Sequence, residues 1–208
     1  GKDPGTVHNG ITESEITLDI ARRTGKLLEK QKINVLHTRL DNSWVALDAR
    51  SQMAKASQAD FFISIHVNAS DNEAAGGIEI YTPTPKVTAA GAASAQKTRA
   101  KRQGDGKQPP SKQENNRLVL SRNLAEAIQK GIENTLSKQR LQPSRAEIKS
   151  AQFRVLADVN MPGVLLETGY CSNRQDAQKL ASPDYREALA AGIAEGILTM
   201  VQSLNGLE

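Results

Sequence analysis

The chain is poor in several things at once, and each shortage excludes something. Among 208 residues there is one cysteine, Cys171. No internal disulfide framework and no cysteine-rich zinc module can be built from it. The redox compartment stays open, because an exporting cell can simply avoid cysteine. Aromatic residues make up 3%, too few for the stacking platforms that hold single-stranded nucleic acid. No apolar run approaches the length of a membrane span. No charged and then apolar segment opens the chain, so the expectation is a cytosolic protein or one already trimmed. Histidine occurs only as His8, His37 and His66. What remains is an ordinary globular composition, 38% hydrophobic and 24% charged. Its length suits one domain with a core of its own.

Charge is the next clue. Lys and Arg number 27 against 23 Asp and Glu, a formal +4, with a pI near 9.2. A basic protein invites nucleic acid, anionic lipid or an anionic polymer as partner. The excess is local, however. Residues 83–117 hold eight of the basic residues and two of the acidic ones, leaving 19 basic against 21 acidic elsewhere. That stretch is rich in Ala, Gly, Pro, Gln and Lys/Arg with little apolar periodicity. It reads as a low-complexity basic insert that cannot bury enough surface to offset its ordering entropy.

The rest alternates between helical and strand patterns. Residues 13–30 place Ile16, Ile20, Leu27 and Leu28 at helical spacing behind Thr12 as N-cap. INVLHT (33–38) reads as a short strand. A helix is predicted over 44–57 with Trp44, Leu47 and Met53 inward. DFFISIHVN (60–68) is nearly continuous in apolar residues, the pattern of a strand buried on both faces. GGIEIYT (76–82) alternates as a strand. A long amphipathic helix is predicted over 117–137, with Leu120, Leu124, Ile128 and Ile132 on one stripe. FRVL (153–156) and PGVLLET (162–168) read as strands, and a last helix covers about 184–204. The predicted fold class is α/β, a single domain with a largely parallel twisted sheet flanked by helices.

Few residues stand out as chemistry. His37 reads as a half-buried or surface histidine, and Arg50 and Asp60 as surface or sheet-edge residues. His66 emerges at the C-terminal end of the most apolar strand, on the crevice side of an open α/β sheet. Glu167 ends the apolar run PGVLLE, where an acid is costly unless paired, metal-bound or reached by solvent. Arg145 and Arg154 are its candidate ion-pair partners. Glu13, in the first turn of a helix, ordinarily just serves the helix dipole. One histidine and two carboxylates at such ends suit a hydrolytic zinc site, one carboxylate acting as general base.

At these residues the chain resembles the zinc-dependent N-acetylmuramoyl-L-alanine amidases of the type-3 class, bacterial cell-wall hydrolases. KDPGTVHNGITESEITLDIA is similar to the family's segment after its Gly-His-Gly-Gly motif, whose helix-opening glutamate is a zinc ligand. It falls on Glu13. HTRLDNSWVALDARSQMAKASQADFFISIHVNAS resembles the Thr-Arg…Leu…Arg…Ala stretch and Ser-Ile-His-x-Asn, whose histidine is a zinc ligand. It falls on His66. RAEIKSAQFRVLADVNMPGVLLETGYCSNRQD resembles the closing motif, whose glutamate is catalytic. It falls on Glu167.

The resemblance implies a cofactor, Zn²⁺, and a substrate, peptidoglycan, cleaved between N-acetylmuramic acid and L-alanine. It places the protein in the periplasm or secreted to the cell envelope. A zinc peptidase cutting within the stem peptide and a catalytically impaired wall-binding module are the alternatives. Family members open on a strand ending in Gly-His-Gly, whose histidine is a further ligand. The chain starts just after that point, and His8 falls a few residues too late. Two family ligands, Glu13 and His66, are therefore expected, with weak zinc binding. In some relatives a helix inserted near 83–117 covers the cleft until an activator protein displaces it. A mobile loop is the preferred reading here, since the segment has few bulky apolar residues. No specific nucleic-acid partner and no membrane span are implied, and the chain is expected to be a monomer.

Overall fold

The computed structural model describes residues 3–85, 110–141 and 146–206. The apolar run at 60–68 becomes strand β3 (Phe62–Asn68), and its neighbours are β4 (Ile78–Pro83), β5 (Ala146–Ala151) and β6 (Gly163–Tyr170). They form one sheet in the order β3-β6-β4-β5. The β3/β6 and β4/β5 pairs are parallel and β4/β6 is antiparallel, so the sheet is mixed and mostly parallel. A small hairpin, β1 (Val7–His8) and β2 (Ile11–Thr12), leads into helix α1 (Glu13–Lys30). The other helices are α2 (Leu47–Ser57), α3 (Lys112–Lys138), α4 (Arg154–Ala157), α5 (Arg174–Ala181) and α6 (Pro183–Asn205).

Side chains alternate across the sheet, so each strand serves two environments. One face carries Val67, Leu166, Val164, Ile78 and Ile80 into the main core, together with the apolar stripes of α1, α3 and α6. Leu124, Ile128 and Ile132 of α3 are fully buried there. Each such side chain contributes about 1.5–3 kcal/mol of transfer free energy. The opposite face carries Phe62, Leu165 and Tyr81 into a smaller cluster with Ala54 of α2 and Val155, Leu156, Val159 and Met161. The polar residues Ser64, His66, Glu167 and Glu79 share this second face by register.

Helices α3 and α6 approach closely because small residues meet at their crossing. A Cβ at Gly196 would lie 2.4 Å from the Ile128 Cα, and one at Gly192 would lie 2.6 Å from the Ile132 Cα. Backbone cannot yield there as a flexible side chain would, so α3 and α6 are locked at this distance.

Several expectations are corrected. INVLHT forms no strand. A groove of about 1140 Å³ is lined by Ile33–Arg39 and by Phe62–His66 of β3, and no described strand pairs with the stretch. FRVL is not a strand; it spans the N-cap and first turn of α4, and β5 lies earlier, at Ala146–Ala151. Charged positions within AEIKSA hide that strand from a search for apolar runs. Helix α2 starts at Leu47, and Trp44 and Leu47 are about half exposed rather than inward. Helix α3 starts at Lys112, capped by Ser111, whose hydroxyl accepts from the Glu114 amide. Arg117 is therefore a buried helix residue held by Glu114 and the Leu156 carbonyl, not the end of an insert. Thr12 is the N-cap residue of α1 but makes no side-chain cap bond. The Thr6 and Pro4 carbonyls accept from the Glu13 and Ser14 amides instead. Whether the insert is a plug or a loop falls on residues 86–109, outside the described residues.

The α3–α6 crossing gives a direct test. Gly196→Ala should lower stability by about 1–3 kcal/mol through overpacking against backbone, read as a lower urea midpoint. An unchanged midpoint would contradict the close approach.

Candidate active site

The N-terminal loop and α1 together aim one carboxylate at the sheet. Glu13 opens α1, and its Oε2 accepts from the Thr6 amide at 2.9 Å and the Thr6 hydroxyl at 3.3 Å. Its Oε1 lies 3.0 Å from His66 Nδ1 and accepts from the Val67 amide at 3.5 Å. Gly5, at φ +68°, lets the loop pass this carboxylate, because a Cβ there would lie 2.4 Å from Oε2. Arg39 steadies the same turn, donating to the Ser14 carbonyl and the Thr17 hydroxyl. Burial pushes the Glu13 carboxyl up. The His66 hydrogen bond and the Thr6 and Val67 amides outweigh it and hold Glu13 below the usual carboxylate range.

His66 is gripped from both sides. While Nδ1 faces Glu13, Nε2 lies 2.9 Å from the Ser64 hydroxyl, two residues back on β3. The ladder just beyond His66 is irregular, with a shift between His66 and Asn68. Such irregularities re-aim side chains at sheet ends.

Directly opposite His66 in the ladder is Glu167 of β6, and opposite Glu167 on the far side is Glu79 of β4. Glu167 is 9% exposed, and its Oε2 has no hydrogen-bond partner among the described residues. Burial pushes its carboxyl up to about 7; the Glu13 and Glu79 charges add to the rise and His66 opposes it. Glu79 is handled in the opposite way. Lys149 pairs with it, and the Tyr81 hydroxyl and the Asn68 amide donate to its Oε2 at 2.8 and 3.2 Å. Burial pushes its carboxyl up, but the hydrogen bonds from Lys149, Tyr81 and Tyr170 and the Lys149 charge outweigh this and keep Glu79 low. One carboxylate is thus held ionised by its partners while its neighbour keeps a raised pKa, the pattern that separates roles within a site.

The three residues singled out by sequence, Glu13, His66 and Glu167, come together here. Their candidate bland partners do not claim them. Arg154 pairs with Asp48 and Asp158, not with Glu167, and Arg145 lies outside the described residues. His37 lies against Gly25 of α1, away from this cluster. His8 is exposed in the hairpin. Sequence reasoning did not single out Ser64, Glu79, Arg39 or Thr6. A signal existed for two of them: Ser64 shares its strand face with His66, and Glu79 is an acid within an otherwise apolar strand. Among the described residues no group of three His, Cys, Asp or Glu side chains is arranged to hold a metal ion. The pair Glu13 and His66 offers one carboxylate oxygen and one imidazole nitrogen, a donor set that suits Zn²⁺ in kind.

The α/β sheet thus presents a buried glutamate with a raised pKa beside a carboxylate–histidine pair. The family of this chain follows from comparison. The profile of the N-acetylmuramoyl-L-alanine amidase family matches residues 1–199, and the chain belongs to that family. It is 32% identical over 197 residues to the uncharacterized Bacillus subtilis protein YqiI, covering 95% of this chain and 78% of that one. It is 31% identical to the N-acetylmuramoyl-L-alanine amidase AmiC of Neisseria meningitidis, covering 95% of this chain and 49% of that one. It is 29% identical to the amidase LytC of Bacillus subtilis, again over 95% of this chain but only 33% of LytC. The chain thus spans between a third and a half of these two amidases. Among solved structures, an N-acetylmuramoyl-L-alanine amidase from Clostridium difficile 630 superposes with a TM-score of 0.74 at 28% identity, covering 98% and 92% of the two chains. AmiC2 of Nostoc punctiforme gives 0.72 at 29% identity, covering 97% and 92%.

The raised Glu167 carboxyl has a sign that stability can test in the metal-free chain. The unfolded carboxyl loses its proton near the ordinary 4.5 and the folded one near 7. Between these the folded state binds more protons, so stability falls as pH rises through the window. Glu167→Gln should remove that fall and exceed the parent at pH 8 by up to about 3 kcal/mol. Equal urea-midpoint differences at pH 4 and pH 8 would contradict the assignment.

Proposed function

We propose that the chain is a peptidoglycan amidase that hydrolyses the bond between N-acetylmuramic acid and the L-alanine opening the stem peptide. The observation that carries this reading is the meeting of Glu13, His66 and the buried, unpartnered Glu167 on one side of the sheet. Family membership supports the substrate class. Glu13 and His66 would hold Zn²⁺, which when bound supplies a Lewis acid and lowers the pKa of water at the site. Glu167 is the general base and then the general acid. Its free Oε2 takes a proton from the attacking water and returns it to the departing amine of L-alanine. Burial already raises this carboxyl to about 7 in the metal-free chain, which favours a group that both takes and returns a proton. Glu79, held by Lys149, Tyr81 and Asn68, adds negative charge beside Glu167 without competing for the proton.

In this reading the catalytic domain spans 1–208, and the low-complexity insert read at 83–117 ends before Lys112, where α3 begins. Peptidoglycan lies outside the cytoplasmic membrane, so the proposed site of action is the periplasm or cell envelope. No helix among the described residues is long and apolar enough to cross a membrane.

Digestion of purified peptidoglycan with added zinc, followed by mass analysis, tests the reading. The expected products are intact stem peptides with a free L-alanine amine; cuts inside the stem would overturn the amidase assignment. Glu167→Gln should lower release by about 10²-fold or more while zinc uptake is unchanged, and retained activity would refute its role.

A further inference from the structure

We propose that Ser64 is a positioning residue that fixes the ring of His66, so that Nδ1 is the nitrogen offered to the metal. The inference rests on the reading that Glu13 and His66 hold a cation. It adds which ring atom binds and which side chain decides it.

The geometry leaves His66 little choice. Both ring nitrogens are engaged, Nδ1 by Glu13 Oε1 at 3.0 Å and Nε2 by Ser64 Oγ at 2.9 Å. Glu13, the proposed second ligand, lies on the Nδ1 side, so a cation shared by the two residues meets Nδ1. Ser64 sits behind the ring on the same face of β3, because residues two apart on a strand point the same way. It is 7% exposed, and among the described residues its hydroxyl makes this one hydrogen bond.

A hydroxyl is suited to that place because it both donates and accepts. Without metal, Nδ1–H donates to the Glu13 carboxylate and the Ser64 O–H donates to Nε2. With a cation on Nδ1, the ring proton must sit on Nε2, where it donates to Ser64 Oγ. The N–H bond at Nδ1 breaks and one at Nε2 forms, the proton being exchanged through solvent. Rotation of one hydroxyl serves both tautomers. A carbonyl or carboxylate in its place would accept only. Outer partners of this kind orient metal-binding histidines, and their loss typically costs about 10–100-fold in affinity.

The bland alternative is that Ser64 merely fills space in β3. Alanine fills that space too, so spectroscopy separates the two readings where stability does not. ¹⁵N NMR of the histidine-labelled, metal-free chain should show a proton on Nδ1 and an Nε2 signal shifted by an accepted hydrogen bond. In Ser64→Ala the Nε2 signal should move to the position of a free acceptor, and Ser64→Thr should restore it. With ¹¹³Cd²⁺ as probe, cadmium should couple to Nδ1 and the proton should appear on Nε2. Zinc titration followed by the same signals should shift to about tenfold or more higher concentration in Ser64→Ala and return close to the parent in Ser64→Thr. Coupling to Nε2, or an unchanged Nε2 signal and unchanged zinc midpoint in Ser64→Ala, would overturn the inference. If zinc perturbs neither His66 nor Glu13, the metal reading of the site fails, while the metal-free comparison still decides whether Ser64 holds the ring.

Discussion

The contact between Glu13 Oε1 and His66 Nδ1 joins two parts of the chain 53 residues apart. One partner opens α1 and the other ends a buried strand, and everything nearby serves to keep them facing. The loop at Pro4–Thr6 wraps the helix start, supplying carbonyls to its first amides and an amide to the Glu13 carboxylate. Gly5 makes room for that carboxylate, and Arg39 pins the same turn from the other side. Behind the sheet, the Gly131–Gly192–Gly196 contact sets α3 and α6 at a fixed distance, and α1 packs on the same core. The position of α1 fixes where Glu13 can point. An ion-type pair at half-buried depth persists only when geometry and added hydrogen bonds repay its desolvation, and here Thr6, Val67 and Ser64 supply them.

The second design element is a row of titratable side chains, one from each strand. His66, Glu167, Glu79 and Glu147 stand opposite one another by register across β3, β6, β4 and β5. Three acids in a row cannot all behave alike. Glu147 is exposed. Glu79 is held ionised by Lys149 and by tyrosine and asparagine donors. Glu167 receives no such help on Oε2 and keeps a raised pKa. The proposed reaction needs one acid able to gain and lose a proton, and the difference between the acids comes from their partners rather than from residue type.

Much of this was legible in the residues themselves. The strands at 62–68 and 163–170 announce themselves as apolar runs, and His66 and Glu167 stand out because polar groups close those runs. Helices α1 and α6 follow from their 3.6-residue spacing. Glu13 is different: nothing in its local surroundings separates it from an ordinary helix-opening acid, and only the resemblance to a family points to it. Strand β5 escaped because AEIKSA is half polar, its Lys149 pairing with Glu79 of the neighbouring strand. FRVL read as a strand because four residues cannot distinguish a short buried strand from a buried helical turn. INVLHT has the composition of a strand, but a strand exists only where a ladder partner lies within reach, and no described strand pairs with it. Ser64 and Glu79 owe their importance to neighbours across the sheet, information that sequence spacing does not carry.

The central claim is that Glu13 and His66 bind one cation together. X-ray absorption at the zinc edge, on the chain loaded with zinc, tests it most directly. The predicted spectrum contains a single imidazole scatterer with oxygen ligands, and the imidazole signal disappears in His66→Ala. A spectrum unchanged by His66→Ala, or unaffected by Glu13→Gln, would contradict the shared site.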